Sequence, residues 1–278
     1  MHMGKNQDTT FQTKIWKPKF SDDITFHKAY FLNYGFDKHV HEDYTIGLIQ
    51  NGHMDAFVDG EKKSLDSSTI VSVNPDETHA CQTFYHKDYT LYSIYLKPNL
   101  FKELVNENFH TSELYFKEGA YFDKELSSRF LKILNFSENQ YLSNLDFECE
   151  LLDSVKSLVS KNVKYSIDKN ISNHQSMIKK AKEFMSENYH LDLNLDDISD
   201  ALDVSKYHFL RTFKDKTFLS PHNYLMLKRI EKAKELLQKG ESLTNTAHIC
   251  GFNDQSHLNR RFKSIMGLTP GEYKKFFN

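Results

Sequence analysis

The phrase FKDKTFLSPHNY, from Phe213 to Tyr224, returns 49 residues later as FKSIMGLTPGEY, from Phe262 to Tyr273. Phe, Lys, Leu, Ser or Thr, Pro and Tyr recur in register, and Gly267 is matched by Phe218. An internal repeat constrains a fold strongly, because both copies must be able to form the same local structure. Each copy closes a short helix, a turn, a second helix and a stop. In the later copy, TAHICGFNDQSHLNRRFK sets Ala247, Ile249, Cys250 and Phe252 toward a core that Leu258 and Phe262 complete. Gly251 supplies a turn that a residue without Cβ takes easily. In the earlier copy, ISDALDVSKYHFLRTFK repeats the pattern with Ile198, Ala201, Leu202, Val204, Phe209 and Phe213. Two short helices joined by a tight turn in a basic context make a helix-turn-helix. Gly267 is expected to end its helix in a left-handed cap, which is costly for a residue with a Cβ. Phe218 must therefore accept that strain or leave its helix differently.

The outward faces suggest chemistry. At 100° per residue, burying Leu258 and Phe262 turns Gln255, Ser256, Asn259, Arg260 and Lys263 away from the core. Burying Phe209 and Phe213 exposes Lys206, Tyr207, Leu210, Arg211 and Lys214. Gln and Asn pair bidentately with adenine and Arg with guanine in a DNA major groove, while Lys and helix-start N–H groups position phosphates. The bland reading is a pair of helices with a solvated polar face; two copies with one stop signal favour DNA reading.

Net charge is −2, which by itself argues against a polyanionic partner. The average conceals an asymmetry: from His174 onward there are 17 Lys and Arg against 13 Asp and Glu. Glu183 to Asp203 holds seven acids and no base, whereas Val204 to Lys234 holds eight bases and two acids. A nucleic-acid binder needs one basic face rather than a basic average. Three widely spaced cysteines, Cys81, Cys149 and Cys250, lack metal-ligand spacing and suggest reduced thiols in a cytoplasmic protein. No run approaches the ~18 apolar residues of a membrane span, and no signal peptide is evident.

Up to about Leu96 the sequence reads as strands: residues 43–49, 53–58, 69–73 and 89–96, separated by turn signals at Asn51-Gly52, Asp59-Gly60 and Asn74-Pro75. Their spacing suggests a small barrel or jelly roll. Residues 122–136 and 147–163 carry helical apolar periodicity and are expected to pack beside it. The polar stretch 166–175 reads as a linker. The remainder reads as helices over 177–188, 195–202, 205–215, 221–239, 243–250, 254–266 and 270–277, with Ser205, Asp254 and Thr269 as N-caps and Pro221 and Pro270 at first helical positions. The expected architecture is thus α+β in two domains: 1–165, and an all-α 176–278 holding two helix-turn-helix units on one long helix.

With these residues in place, the C-terminal hundred residues resemble the AraC/XylS family of bacterial transcription regulators. The resemblance rests on ISDALDVSKYHFLRTFK, on LSPHNYLMLKRIEKAKELL, and on ICGFNDQSHLNRRFKSIMGLTPGEYKK. It implies that a long helix, here 221–239 with Arg229, Ala233 and Leu237 at its recurrent positions, joins the two units. It also implies that the second helix of each unit enters successive major grooves on one face of the duplex. Base-reading roles carry over to Tyr207, Leu210 and Arg211, and to Gln255, Ser256, Asn259 and Arg260. Leu210 departs from the polar residue often found there and suits a thymine methyl. The resemblance further implies a homodimer, contact with RNA polymerase, and activation rather than repression.

The N-terminal half resembles the cupin-like sensor domain that precedes many such DNA-binding domains, on HVHEDYTIGLIQNG and NPDETH. His39, His41, Tyr44 and His79 are its candidate ligand-binding residues. An H-x-H pair with a later His also resembles metal-binding cupins, which add a Glu four or five residues after the second His. Thr45 and Ile46 occupy those positions here, and the neighbouring Glu42 should point to the opposite strand face. No metal or other cofactor is therefore expected, and the histidines are read as polar lining of an effector pocket. The competing class is a metal-dependent cupin enzyme carrying a DNA-binding tail. It lacks any Gly-rich phosphate loop or nucleophile elbow. Trp16 belongs either to an arm over the pocket or, more blandly, to packing on the barrel.

Overall fold

In the computed structural model, residues 10–19, 21–82, 88–105, 114–139, 144–165 and 173–277 are described. The chain divides into two compact units, Met1–Asp37 with His41–Ile167, and Asp168–Asn278 with Lys38–Val40. Most of the 166–175 stretch lies outside the described residues; the helix that follows already begins at Asn173.

The first unit is built on β1 (Thr10–Trp16), β2 (Ile24–Leu32), β3 (Phe36–His39), β4 (Tyr44–Val58), β5 (Glu61–Asp66), β6 (Thr69–Val73), β7 (His79–Gln82) and β8 (Asp88–Leu96). There follow α1 (Pro98–Val105), β9 (Leu114–Phe116), β10 (Ala120–Phe122), α2 (Lys124–Asn139), α3 (Asn144–Asn162) and β11 (Val163–Tyr165). One sheet runs β1-β2-β8-β4-β6-β10, and β4 additionally pairs β5 and β7, the latter carrying β3. A single strand can serve so many partners because its two halves lie in different parts of the sheet: Tyr44–Gly52 pairs β8, and His53–Val58 pairs β5.

That continuity corrects one expectation. Asn51-Gly52 makes no hairpin; it forms an irregularity within β4, where the register to β8 shifts between Ile49 and Asn51. Gly52 has φ +81° there. The Asn51 side chain replaces the interrupted ladder, its Oδ1 accepting from Thr90 N at 3.0 Å. Such bulges bend a strand and increase its twist. The Asp59-Gly60 turn does close a hairpin, with both residues at positive φ, as a primed two-residue turn requires.

The strands are apolar on both faces, and alternation separates two cores. Phe26, Ile46, Leu48, Ile70, Tyr92, Ile94 and Leu96 pack against α1–α3 through Phe101, Phe130, Ile133, Leu134, Leu151, Val155 and Leu158. Residues of the opposite parity, including Phe31, Ile49, Val71, Val73 and Tyr89, form a second core inside the curled sheet. The apolar stripes of α2 and α3 are thus used within their own chain. Trp16 lies in the edge strand β1, its Nε1 donating to Ser137 Oγ at 2.8 Å and its ring against Phe26, so it belongs to the packing of the unit.

The second unit is helical: α4 (Asn173–Glu187), α5 (Leu195–Ala201), α6 (Lys206–Thr217), α7 (Pro221–Gln238), α8 (Leu243–Ile249), α9 (Gln255–Met266) and α10 (Pro270–Lys274). The starts of α5 to α10 have a sequence reason. Ser205, Ser220, Ser242, Asp254 and Thr269 are all N-caps whose side chains accept a backbone N–H. Asn194 and Asp197 form a capping box at α5.

Candidate functional site

The α5–α6 and α8–α9 pairs form the same turn by the same hydrogen bonds. Val204 N donates to Ser199 O at 3.1 Å, and Phe252 N to Ala247 O at 2.9 Å. Each turn needs one left-handed residue, supplied by Asp203 (φ +54°) in one and Gly251 (φ +73°) in the other. Asp is among the few residues with a Cβ that tolerate this region. Phe209 and Phe213 on α6, and Leu258 and Phe262 on α9, are fully buried. Two expected core residues are not: Ala201 and Ile249, the last residues of α5 and α8, both face solvent, Ile249 being 41% exposed. Cys250 and Phe252, beside Ile249, fill the interior instead. The apolar count of the segment exceeded what the turn can cover.

Both second helices, α6 and α9, end in a left-handed cap. Gly267 adopts φ +76°, and Phe218 takes the same region at φ +57° with its ring 45% exposed. The discordant position therefore has the common geometry, and Phe218 accepts a backbone conformation that costs a residue with a Cβ roughly 1–2 kcal/mol. Thr217 helps to hold this exit, its Oγ1 donating to Phe213 O at 2.7 Å.

On the outer face of α6, Tyr207 is 78% exposed, the Arg211 side chain is 86% exposed with Asp215 at 3.8 Å, and Lys214 is exposed. Leu210 is half-buried. Lys206 is held by Asp196 at 3.0 Å, and that hydrogen bond raises its pKa. On α9, Gln255, Ser256, Arg260 and Lys263 are exposed. Gln255 is oriented by Thr244, whose hydroxyl lies 3.2 Å from its Oε1, an anchor that leaves the amide NH2 to address a partner. Asn259 differs from its expected outward placement: it is half-buried, and its Oδ1 is buried with no hydrogen bond among the described residues. Its angular position, a quarter turn from Leu258, accounts for this. His257, between the two faces, has its pKa lowered by burial and by Arg261 and Arg260, which keeps one more cation off this helix at neutral pH.

The long helix α7 ties the two helix-turn-helix pairs together through the 189–191 loop. Arg229 is buried, and it donates from Nε to Tyr189 O and from Nη2 to Leu191 O, both at 2.8 Å. Gly251, in the second turn, faces the backbone of His190 so closely that an added Cβ would lie 2.6 Å from His190 O. One short loop ahead of the first unit is thereby gripped from α7 and from the second unit's turn. At the far end, Gln238 Nε2 donates to Tyr273 OH at 2.7 Å, and Lys274 donates to Gly240 O and Glu241 O. This docks α10 on the C-terminus of α7.

The structure gathers His39, at the end of β3, with His41 and His79. One ring nitrogen from each lies within 4.8 Å of the others; His41 is buried and the other two are half-buried. Tyr44 does not join them. By strand parity it points at the helices, stacked on Phe101 at 4.0 Å with its hydroxyl donating to Leu114 O at 2.6 Å. Its even-numbered neighbours Ile46 and Leu48 share that side, while Thr45 takes the opposite one. Tyr95 and His27, which the sequence reading passed over, do approach the histidines. The Tyr95 ring meets His41 edge-on at 5.2 Å and stacks beside His27 at 6.3 Å. Their signal was parity: Tyr95 follows Tyr89, Leu91 and Ser93 along β8, the face directed inside the sheet. The inner face is thus apolar around Phe31 and Tyr89, and becomes polar toward Ser93, Tyr95, His27 and His41.

Comparisons with known proteins agree with both halves. The family described as the AraC-like ligand binding domain matches residues 23–154, and a helix-turn-helix domain family matches residues 198–275. The uncharacterized HTH-type transcriptional regulator YbfI of Bacillus subtilis is 29% identical over 226 residues, covering 80% of this chain and 81% of that protein. The HTH-type transcriptional activator RhaS of Escherichia coli is 23% identical over 256 residues, covering 86% and 88%. Among solved structures, unsaturated fatty acid bound wild-type ToxT from Vibrio cholerae shares the fold, with a TM-score of 0.57 over 99% of this chain and 98% of that one at 16% identity. In the described residues no helix is long and apolar enough to cross a membrane. With two matched helix-turn-helix units behind an AraC-like ligand-binding unit, the chain belongs to the AraC family of DNA-binding transcription regulators.

Proposed function

We propose that this regulator reads two successive major grooves with α6 and α9 and answers to a small polar effector held at the polar end of the sheet's interior. The observation that carries the DNA reading is the matched construction of the two units: the same turn bonds, the same buried pairs and the same left-handed exit. Lys206, Lys214 and Lys263 position phosphates in this reading. Tyr207, Leu210, Arg211, Gln255, Ser256, Asn259 and Arg260 read bases, with Asn259 turning outward on binding. The half-buried Leu210 is suited to a thymine methyl.

His39, His41 and His79, joined by Tyr95 and His27, are the proposed effector contacts; Tyr44 serves the core instead. The effector shifts the regulator between states only by binding one of them more tightly. Activation is supported by the name of the RhaS relative; in this reading the protein acts in the cytoplasm, as a homodimer that contacts RNA polymerase. Catalysis has no part in this reading, in keeping with relatives named as regulators.

Replacing Arg260 by Ala is expected to weaken a cognate site by roughly 1–3 kcal/mol and to relax preference at one base pair. Binding measured on the cognate site and on single-base variants of it checks this. A uniform loss across all sequences would move Arg260 from base reading to phosphate contact.

A further inference from the structure

We infer that His39, His41 and His79 form a binding site for a divalent transition metal ion, with Zn2+ the best match to the donor set. The three imidazoles converge from β3, from the segment before β4 and from the start of β7, with one nitrogen from each within 4.8 Å of the others. A tetrahedral zinc site at ordinary Zn–N lengths needs about 3.3 Å between nitrogens. Closing the remaining gap takes side-chain rotation of about an ångström, and the half-buried His39 and His79 have the freedom to make it.

The backbone around the site is already braced. Asp76 N donates to His41 O at 2.7 Å, which ties the turn before β7 to the segment that carries His41. Asn74 closes that turn through its N and Nδ2, both donating to Glu77 Oε2 at 3.0 and 2.7 Å. Asn74 Oδ1 also accepts from Phe116 N at 2.7 Å, fixing the turn to β9. Glu77 Oε2 accepts both Asn74 donors in holding the turn, and this carboxyl is not counted among the ligands.

His79 itself is oriented for ligation. Its Nδ1 lies 3.0 Å from Glu77 O, a carbonyl that can only accept, so Nδ1 carries the proton and Nε2 keeps its lone pair. Donation of the second ring nitrogen to a backbone carbonyl is the usual outer contact of a metal-bound histidine. An all-imidazole set selects zinc, copper, iron or nickel over magnesium and calcium, which prefer oxygen ligands. Three protein ligands leave a coordination position open, as in zinc sites that bind water or a small molecule. This deepens the effector-site reading: an anionic or carbonyl group of the effector would take that position.

The test uses tag-free full-length protein stripped with a chelator and titrated with Zn2+ alone by calorimetry. Saturation at one equivalent per chain is expected, with His39→Ala and His79→Ala each weakening it at least tenfold. His53→Ala, an exposed histidine on β4 outside the cluster, should leave it unchanged. Thermal unfolding of the metal-free variants, matching the parent, shows that the loss is one of ligands and not of fold. Absence of saturable binding, or equal affinity in parent, His39→Ala and His79→Ala, overturns the inference. A negative result would leave effector binding at Tyr95 and His27 standing, since that reading is tested with small molecules and not with the metal.

Discussion

Replacing Gly251 by Ala is expected to lower the melting temperature of the helical unit by roughly 10–20 °C, the largest effect of any single methyl group in this part of the chain. Two independent costs meet at this residue. Its φ of +73° lies in the left-handed region, which a Cβ disfavours by roughly 1–2 kcal/mol. The added carbon would also lie 2.6 Å from His190 O, 2.9 Å from its carbonyl carbon and 3.0 Å from its Cα. All three are backbone atoms, so no rotamer change relieves the contact, and overpacking of this kind costs about 1–3 kcal/mol. A combined loss of about 3 kcal/mol in a domain of this size corresponds to the stated shift. Thermal unfolding followed by circular dichroism measures it. Gly271→Ala is the control: a Cβ there meets only Leu243 Cδ1 at 3.8 Å, and the change should be small. A Gly251→Ala shift no larger than the control would mean that the second turn does not press on the 189–191 loop.

The second large effect is expected at Arg229. Replacement by Met preserves most of the apolar stem but removes the donors that satisfy Tyr189 O and Leu191 O. The guanidinium is buried but its two acceptors lie in a partly exposed loop where water replaces some of the lost bonding, so a loss of about 1–3 kcal/mol is expected. Arg229→Lys should recover only part of it, because a single ammonium does not reproduce the fork that reaches two carbonyls at once. Since Arg229 and Gly251 hold the same loop, the double variant should lose less than the sum of the two single losses. Additive losses in denaturant unfolding would show that the two contacts are independent and that the loop is not the joint between the reading units.

The repeat was the most legible part of the sequence, because helix caps and stops are local. Ser205, Asp254, Thr269, Pro221 and Pro270 do in the structure what their side chains dictate. What local reasoning missed depends on distant neighbours. Asn51-Gly52 has the composition of a hairpin turn, yet β4 continues because β8 pairs the strand up to Gly52 and β5 takes it up from His53. Ile249 looks like core by composition, but its place at the end of α8 leaves nothing to cover it. The resemblance to the sensor domain groups Tyr44 with the histidines, whereas strand parity places it with Phe101. The same parity brought Tyr95 to His41, across more than fifty positions of chain. The joint made by Arg229, His190 and Gly251 was likewise invisible, since no pattern in the sequence reports which carbonyl a buried guanidinium will find.

In the proposed function, two helices of matched construction, α6 and α9, act as one DNA-binding surface. Selection of duplexes from a random pool by the full-length protein, followed by sequencing, tests this most directly. The expected result is a bipartite preference, two short conserved blocks whose centres lie about one helical turn, roughly 10 bp, apart on one face of the duplex. Recovery of duplexes without sequence preference, or of a single block that one helix would satisfy, would contradict it.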